Sequence, residues 1–201
     1  VTTTDETAHQ RLLRRGLRLE YTTLAWNVVG VVVLAVAAIA ASSVALASFG
    51  LDSLIEIGAS TVVIWELTDT AAGRERLALR LIGWSFFAIA AYIAAQASYL
   101  LAAGDHPHHS YLGIAWTAAS FAVMLALAYG KAVTGKALDN TVLRTEGRVT
   151  LVDAYLAGAV MLGLVLNAAA GWWWADPAAG YVIVFYGAKE GRGALQEAHQ
   201  H

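Results

Sequence analysis

Six apolar stretches alternate with short polar segments along this chain, at residues 24–41, 44–67, 81–103, 111–130, 151–170 and 173–188. Roughly 20 apolar residues wound as a helix cross the ~30 Å hydrocarbon core of a bilayer. The pattern therefore predicts an all-α integral membrane protein of six transmembrane helices. The sixth stretch is the shortest. No charge marks the turn between the first two, which falls at Ser42 and Ser43 or nearer Ser48 and Gly50.

Charge placement gives each helix a direction. Arg11, Arg14, Arg15 and Arg18 precede the first span; Arg74, Arg76 and Arg80 follow the second. Lys131, Lys136, Arg144 and Arg148 follow the fourth, and Lys189 and Arg192 follow the sixth, which accounts for all thirteen basic residues. The three alternate loops hold none. Basic residues mark cytoplasmic loops, so both termini are expected in the cytoplasm. Trp172, Trp173 and Trp174 then fall at the outer interface, where indole rings accumulate. The expected organisation is a basic cytoplasmic segment over 1–20, a six-helix transport domain over 21–191 and a polar, disordered tail over 192–201. The two halves would have opposite topology, but they share little beyond an acid in their second helix, so an inverted repeat is only weakly indicated.

Composition agrees with lipid as solvent. Hydrophobic residues make up 58% of the chain and charged ones 14%, against about 25% charged in soluble domains. Cysteine is absent, which excludes disulfides, thiolate metal sites and cysteine nucleophiles. The polar amino end and the long apolar run after it do not read as a cleavable signal peptide.

Carboxylates inside membrane spans are costly and mark function by default. Asp52 and Glu56 stand four apart on one face of the second span, among the small residues Gly50, Ser53, Gly58, Ala59 and Ser60, which suit a close neighbouring helix. Glu146, Thr150 and Asp153 share a face of the fifth. Acids on facing helices suit a divalent cation. Without one, close carboxylates in a dry site cannot both stay ionised, so arrival of the cation expels protons. The competing reading makes these acids structural, bonded to Ser53, Ser60, Thr150 or backbone. Glu66 and Asp69 read as interface charges, and Asp176 as an acid at a helix N-terminus. Asp105, His106, His108 and His109 form a short outer loop, read as solvated ahead of a weak metal-capture site. His9, His199 and His201 carry no useful spacing. Counted along equally deep helices, Asp52 and Asp153 would miss each other unless the fifth span projects outward or tilts.

The stretch from Gly50 to Ser60 resembles the second-helix metal motif of the cation diffusion facilitators, a family of divalent metal/proton antiporters. Asp153 falls at that family's fifth-helix aspartate, and Trp174-Ala175-Asp176-Pro177 with Lys189-Glu190-Gly191 is similar to its sixth helix and its end. The resemblance runs from about Tyr21 to Gly191 and departs in two places. Val149 stands where zinc-selective members carry a histidine, and the family's carboxyl-terminal cytoplasmic domain is missing, as in its short branch. The resemblance implies a metal site of Asp52, Glu56 and Asp153, completed by Thr150, Glu146 or water. It implies Zn²⁺ first, with Mn²⁺, Fe²⁺ and Co²⁺ also open to an all-oxygen set. It further implies export in exchange for H⁺, no prosthetic group, a homodimer formed through transmembrane helices, and a bacterial inner (plasma) membrane. A non-transporting metal sensor or scaffold and a cation channel remain as alternatives. No HExxH or Ser/His pairing supports an intramembrane enzyme, and nothing suggests nucleic acid.

Overall fold

The computed structural model describes residues 3–41, 44–68, 74–104, 110–172 and 174–200. These form helices α1 (Thr3–Ala41), α2 (Val44–Thr68), α3 (Arg74–Ala103), α4 (Tyr111–Leu138), α5 (Thr141–Ala170) and α6 (Ala175–Gln200), with no strand among the described residues. Ser42, Ser43, Asp69, Asp105, His106, His108, His109, Trp173 and His201 lie outside them, and with them the expectations for the histidine loop.

The bundle is apolar outside and encloses a group of polar side chains beside its hydrophobic core. Ile39 is 82% exposed, Val32 63%, Phe185 67% and Tyr111 83%, whereas Glu20, Asn27, Asp52, Glu56, Lys131, Glu146 and Asp153 are at most 3% exposed. Such an arrangement is stable only where the surroundings are themselves apolar. The stretches Glu6–Ala41, Arg76–Ala103, Tyr111–Leu138 and Thr141–Ala170 are each long and apolar enough to cross a membrane. The protein is an all-α membrane bundle.

Helices run up and down. At the end bearing the basic residues, Asn140 meets Glu66 and Thr145 meets Glu197. At the opposite end, Ser98 bonds Tyr181 at 2.7 Å. The closest pairings are α1 with α2, α4 with α5 and α3 with α6. α1 ends at Ala41 and α2 is already helical at Ser48 and Gly50, the later of the two places expected for the turn.

Every helix except α2 overruns its apolar stretch at the basic end. Polar residues read as loop or tail are helical because neighbouring helices satisfy them, and hydropathy does not register such contacts. The expected loop after the fourth span shrinks to Asp139 and Asn140. Asp139 takes a left-handed conformation (φ 52°), and its N–H meets the carbonyls of Gly135 and Lys136, closing α4. Asn140 caps α5 by accepting from Leu143 N at 2.7 Å, which satisfies one of the orphan N–H groups of the first turn.

The supposed disordered tail is likewise the last third of α6. Gly187, Gly191, Ala194 and Ala198 form a buried face at helical spacing. Arg148 ties this segment to α5, reaching Glu197 at 2.9 Å and Glu190 at 3.4 Å. A Cβ on Gly191 would lie 2.8 Å from Phe86 Cβ and 3.0 Å from the Gly83 carbonyl of α3. Gly191→Val should therefore destabilise the protein by about 1–3 kcal/mol through overpacking. A lowered melting temperature in detergent checks this; an unchanged one would mean that α3 and α6 separate freely.

Candidate cation site

The polar interior is built by one face from each of α1, α2, α4 and α5. On α1, Gly16, Glu20, Thr23, Asn27, Gly30 and Leu34 are all buried, a spacing of alternating three and four that keeps them on one stripe. The basic half of this stripe is polar and the opposite half apolar. A stacked Trp26–Trp116 pair, with centroids 4.8 Å apart, joins α1 to α4, and Trp26 donates to Ser120 at 3.1 Å.

On α2, Asp52 and Glu56 point inward at 2% and 1% exposure. On α5, Glu146 and Thr150 are at 0% and Asp153 at 2%. Thr150 Oγ1 lies 3.0 Å from Glu56 Oε1, a hydrogen bond between α5 and α2. Asp153 lies beside Glu56, with Asp52 the next acid alongside. The depth difficulty is met by α5 itself. Its last buried residue is Leu164, and residues 168–172 are exposed, so its outer end runs past its neighbours and brings Asp153 level with α2.

These carboxyls are short of donors. Asp52 Oδ1, Glu56 Oε2 and both oxygens of Asp153 are buried and accept no hydrogen bond from protein. Ser53 does not serve them, because its hydroxyl donates to the Phe49 carbonyl at 3.2 Å. Of the structural partners expected from sequence, Thr150 makes a bond to Glu56. Buried oxygens without donors call for a proton or a cation. Among the described residues, however, no three acidic or histidine side chains already surround a common point at ligating distance.

Two residues of this interior escaped the sequence reading. Glu20, assigned to a cytoplasmic segment, and Lys131, assigned to a cytoplasmic loop, are both at 0% exposure. Lys131 Nζ lies 3.1 Å from Glu20 Oε2 and 3.1 Å from Glu146 Oε1, and 2.9 Å from Thr150 Oγ1. Both had a signal available: Glu20 continues the Thr23–Asn27 stripe, and Lys131 follows Met124, Leu127 and Ala128 on the buried face of α4. Both lie just outside an apolar stretch, where a charge can as well reach water as a buried partner.

Other expectations fall into place around this core. Asn140 donates to both oxygens of Glu66, at 3.2 and 3.3 Å, at the basic end and away from the acids. Val149 is at 0% exposure and belongs to the hydrophobic core, so no imidazole enters from that position. Gly58 does not receive a neighbouring helix: it has no atom within 4 Å of a Cβ placed on it, because its side of α2 faces outward. Trp172 and Trp174, half exposed, stack at 5.8 Å beside the start of α6, where Asp176 falls in the first turn.

Comparison with known proteins bears on this arrangement directly. The family model of the cation efflux transmembrane domain matches residues 75–200. That range takes in α4, α5 and α6, with Lys131, Glu146, Thr150 and Asp153, and begins after the acids of α2. A comparison with curated proteins finds no match. A helical membrane bundle with carboxylates buried at its centre, over most of which a cation efflux domain is matched, belongs to the cation efflux (cation diffusion facilitator) family of transmembrane cation transporters.

Proposed function

We propose that the chain carries a divalent transition-metal ion out of the cytoplasm in exchange for protons, by alternating access. Asp52, Glu56 and Asp153 hold the ion. The observation that carries this reading is the set of donorless oxygens on those three side chains, enclosed between α2 and α5. A cation satisfies them in one state and protons satisfy them in the other, which couples the two fluxes. Glu146 and Thr150 border the same cluster. An all-oxygen set accommodates Zn²⁺ but suits Mn²⁺, Fe²⁺ and Co²⁺ as well. Closure of the acids from both ends at 1–2% exposure fits an occluded carrier better than a wetted pore. A homodimer joined through membrane helices, in a bacterial inner membrane, completes the proposal.

Purified protein in proteoliposomes tests it. Zn²⁺, Mn²⁺, Fe²⁺, Co²⁺ and Cd²⁺ are applied in competition while an internal pH dye is followed. Saturable metal uptake that moves protons the other way is expected. Metal binding without flux would leave a sensor or scaffold instead, and a non-saturating conductance would leave a channel.

A further inference from the structure

Lys131 has no role in the transport reading, yet it is among the largest fully buried side chains of the bundle. Lysines near helix ends in a membrane ordinarily extend their ammonium to water. Lys131 stands about two turns before the end of α4 and keeps its ammonium inside. The ammonium donates to Glu146 Oε1 and Thr150 Oγ1 of α5 and pairs with Glu20 Oε2 of α1 at 3.1 Å.

Two consequences follow from this geometry. An ammonium enclosed by two carboxylates and a hydroxyl occupies a cation site, one that Glu20 and Glu146 would otherwise present. The second consequence concerns Thr150, whose hydroxyl has a single proton. Because Thr150 Oγ1 accepts from Lys131 at 2.9 Å, its own proton is left for Glu56 Oε1 at 3.0 Å. That bond fixes one oxygen of Glu56 and leaves Oε2 buried without a donor.

We infer that Lys131 is a tethered counter-cation and a positioning residue: it fills the half of the acidic seam nearer the basic end, and through Thr150 it aims Glu56 at the transported ion. The seam holds five carboxyls, Glu20, Asp52, Glu56, Glu146 and Asp153. Lys131 withdraws Glu20 and Glu146, so a single divalent cation is accommodated by the remaining three. The second half of this inference rests on the transport reading; the first does not.

Mn²⁺ binding to the full chain in detergent, counted from the loss of the free-ion EPR signal, tests both halves. Wild type is expected to bind a single Mn²⁺. Lys131→Met should bind a second, Lys131→Arg should not, and adding Glu20→Gln to Lys131→Met should abolish the second again. A purely structural lysine would leave stoichiometry unchanged, so a single site in folded Lys131→Met overturns the counter-cation role. The two readings separate in Asp52→Asn/Asp153→Asn: this variant should bind no Mn²⁺, and adding Lys131→Met should restore one site at Glu20 and Glu146. Mn²⁺ binding retained in Asp52→Asn/Asp153→Asn, with one further site gained on adding Lys131→Met, would defeat the transport site and keep the counter-cation. Thr150→Val retains the buried ion pair and tests the relay even if Lys131→Met fails to fold. Its Mn²⁺ affinity should fall about tenfold, the usual effect of removing a ligand's supporting bond, with stoichiometry unchanged. Unchanged affinity overturns the positioning role.

Discussion

Asp153→Asn and Asp52→Asn should each lower metal-driven proton flux at least about 100-fold, since even partners that merely support a ligand are worth 10–100-fold. The same substitutions should leave the protein as stable as wild type, or more stable, when no metal is present. The reason is the absence of donors. Both Asp153 oxygens and Asp52 Oδ1 are buried without a hydrogen bond from protein, so neither carboxyl contributes a bond that Asn would break. Asn keeps the volume, removes a buried acid from beside Glu56, and brings an amide that can donate to it. Metal should raise the wild-type melting temperature by mass action, because it binds only the folded state, and it should fail to raise that of either variant. Stopped-flow measurement of internal pH and paired melting curves with and without metal check both halves. Flux retained in both variants would remove Asp52 and Asp153 from the transport path. A large loss of stability without metal would restore the competing reading, in which these acids are structural. Glu56→Gln is a less clean probe, since Glu56 already accepts from Thr150 and its loss mixes binding with packing.

The membrane itself made much of this legible in the sequence. Lipid forbids unpaired backbone, so spans must be helices, and apolar length reports them. The one-sided basic residues implied the up-and-down order that Asn140–Glu66 and Ser98–Tyr181 display. Asp52, Glu56 and Asp153 stood out because acids at mid-membrane have few reasons to exist. What was illegible shares one cause: a polar residue near the end of an apolar run can leave the bundle or be satisfied inside it, and only its neighbours decide. Lys131 goes inside because Glu20 and Glu146 are there, though all three lie outside their apolar stretches. The helical end of α6 depends in the same way on Arg148 and on the close contact of Gly191 with α3. Gly58 shows the converse error. It looked like a site of close approach because it sits beside the acids in sequence, but a helix turns, and Gly58 is on the far side.

Two glycines, Gly147 facing a neighbouring helix and Gly58 facing outward, should have opposite outcomes on substitution. Gly147 lies between Glu146 and Arg148 on α5, and a Cβ there would sit 3.2 Å from Ala132 N and 3.3 Å from the Ala128 carbonyl. The obstacle is α4 backbone, which cannot rotate away as a side chain can. Gly147→Ala should shift the two helices by a few tenths of an ångström and lower the melting temperature modestly. Gly147→Leu has no such adjustment and should force α4 from α5, adding to an overpacking cost of about 1–3 kcal/mol the rupture of the buried contacts around Lys131. Breaking a buried ion pair costs about 3–5 kcal/mol, and the sum is comparable with the whole stability of many folded domains. Gly147→Leu is therefore expected to yield aggregated protein on size-exclusion chromatography and no metal flux. Gly58→Leu, with nothing within 4 Å of its Cβ, should elute and melt like wild type. A monodisperse, transporting Gly147→Leu protein would mean that the α4–α5 contact does not hold Lys131 against Glu146 and Thr150, and the ordering of the acidic seam would need another source.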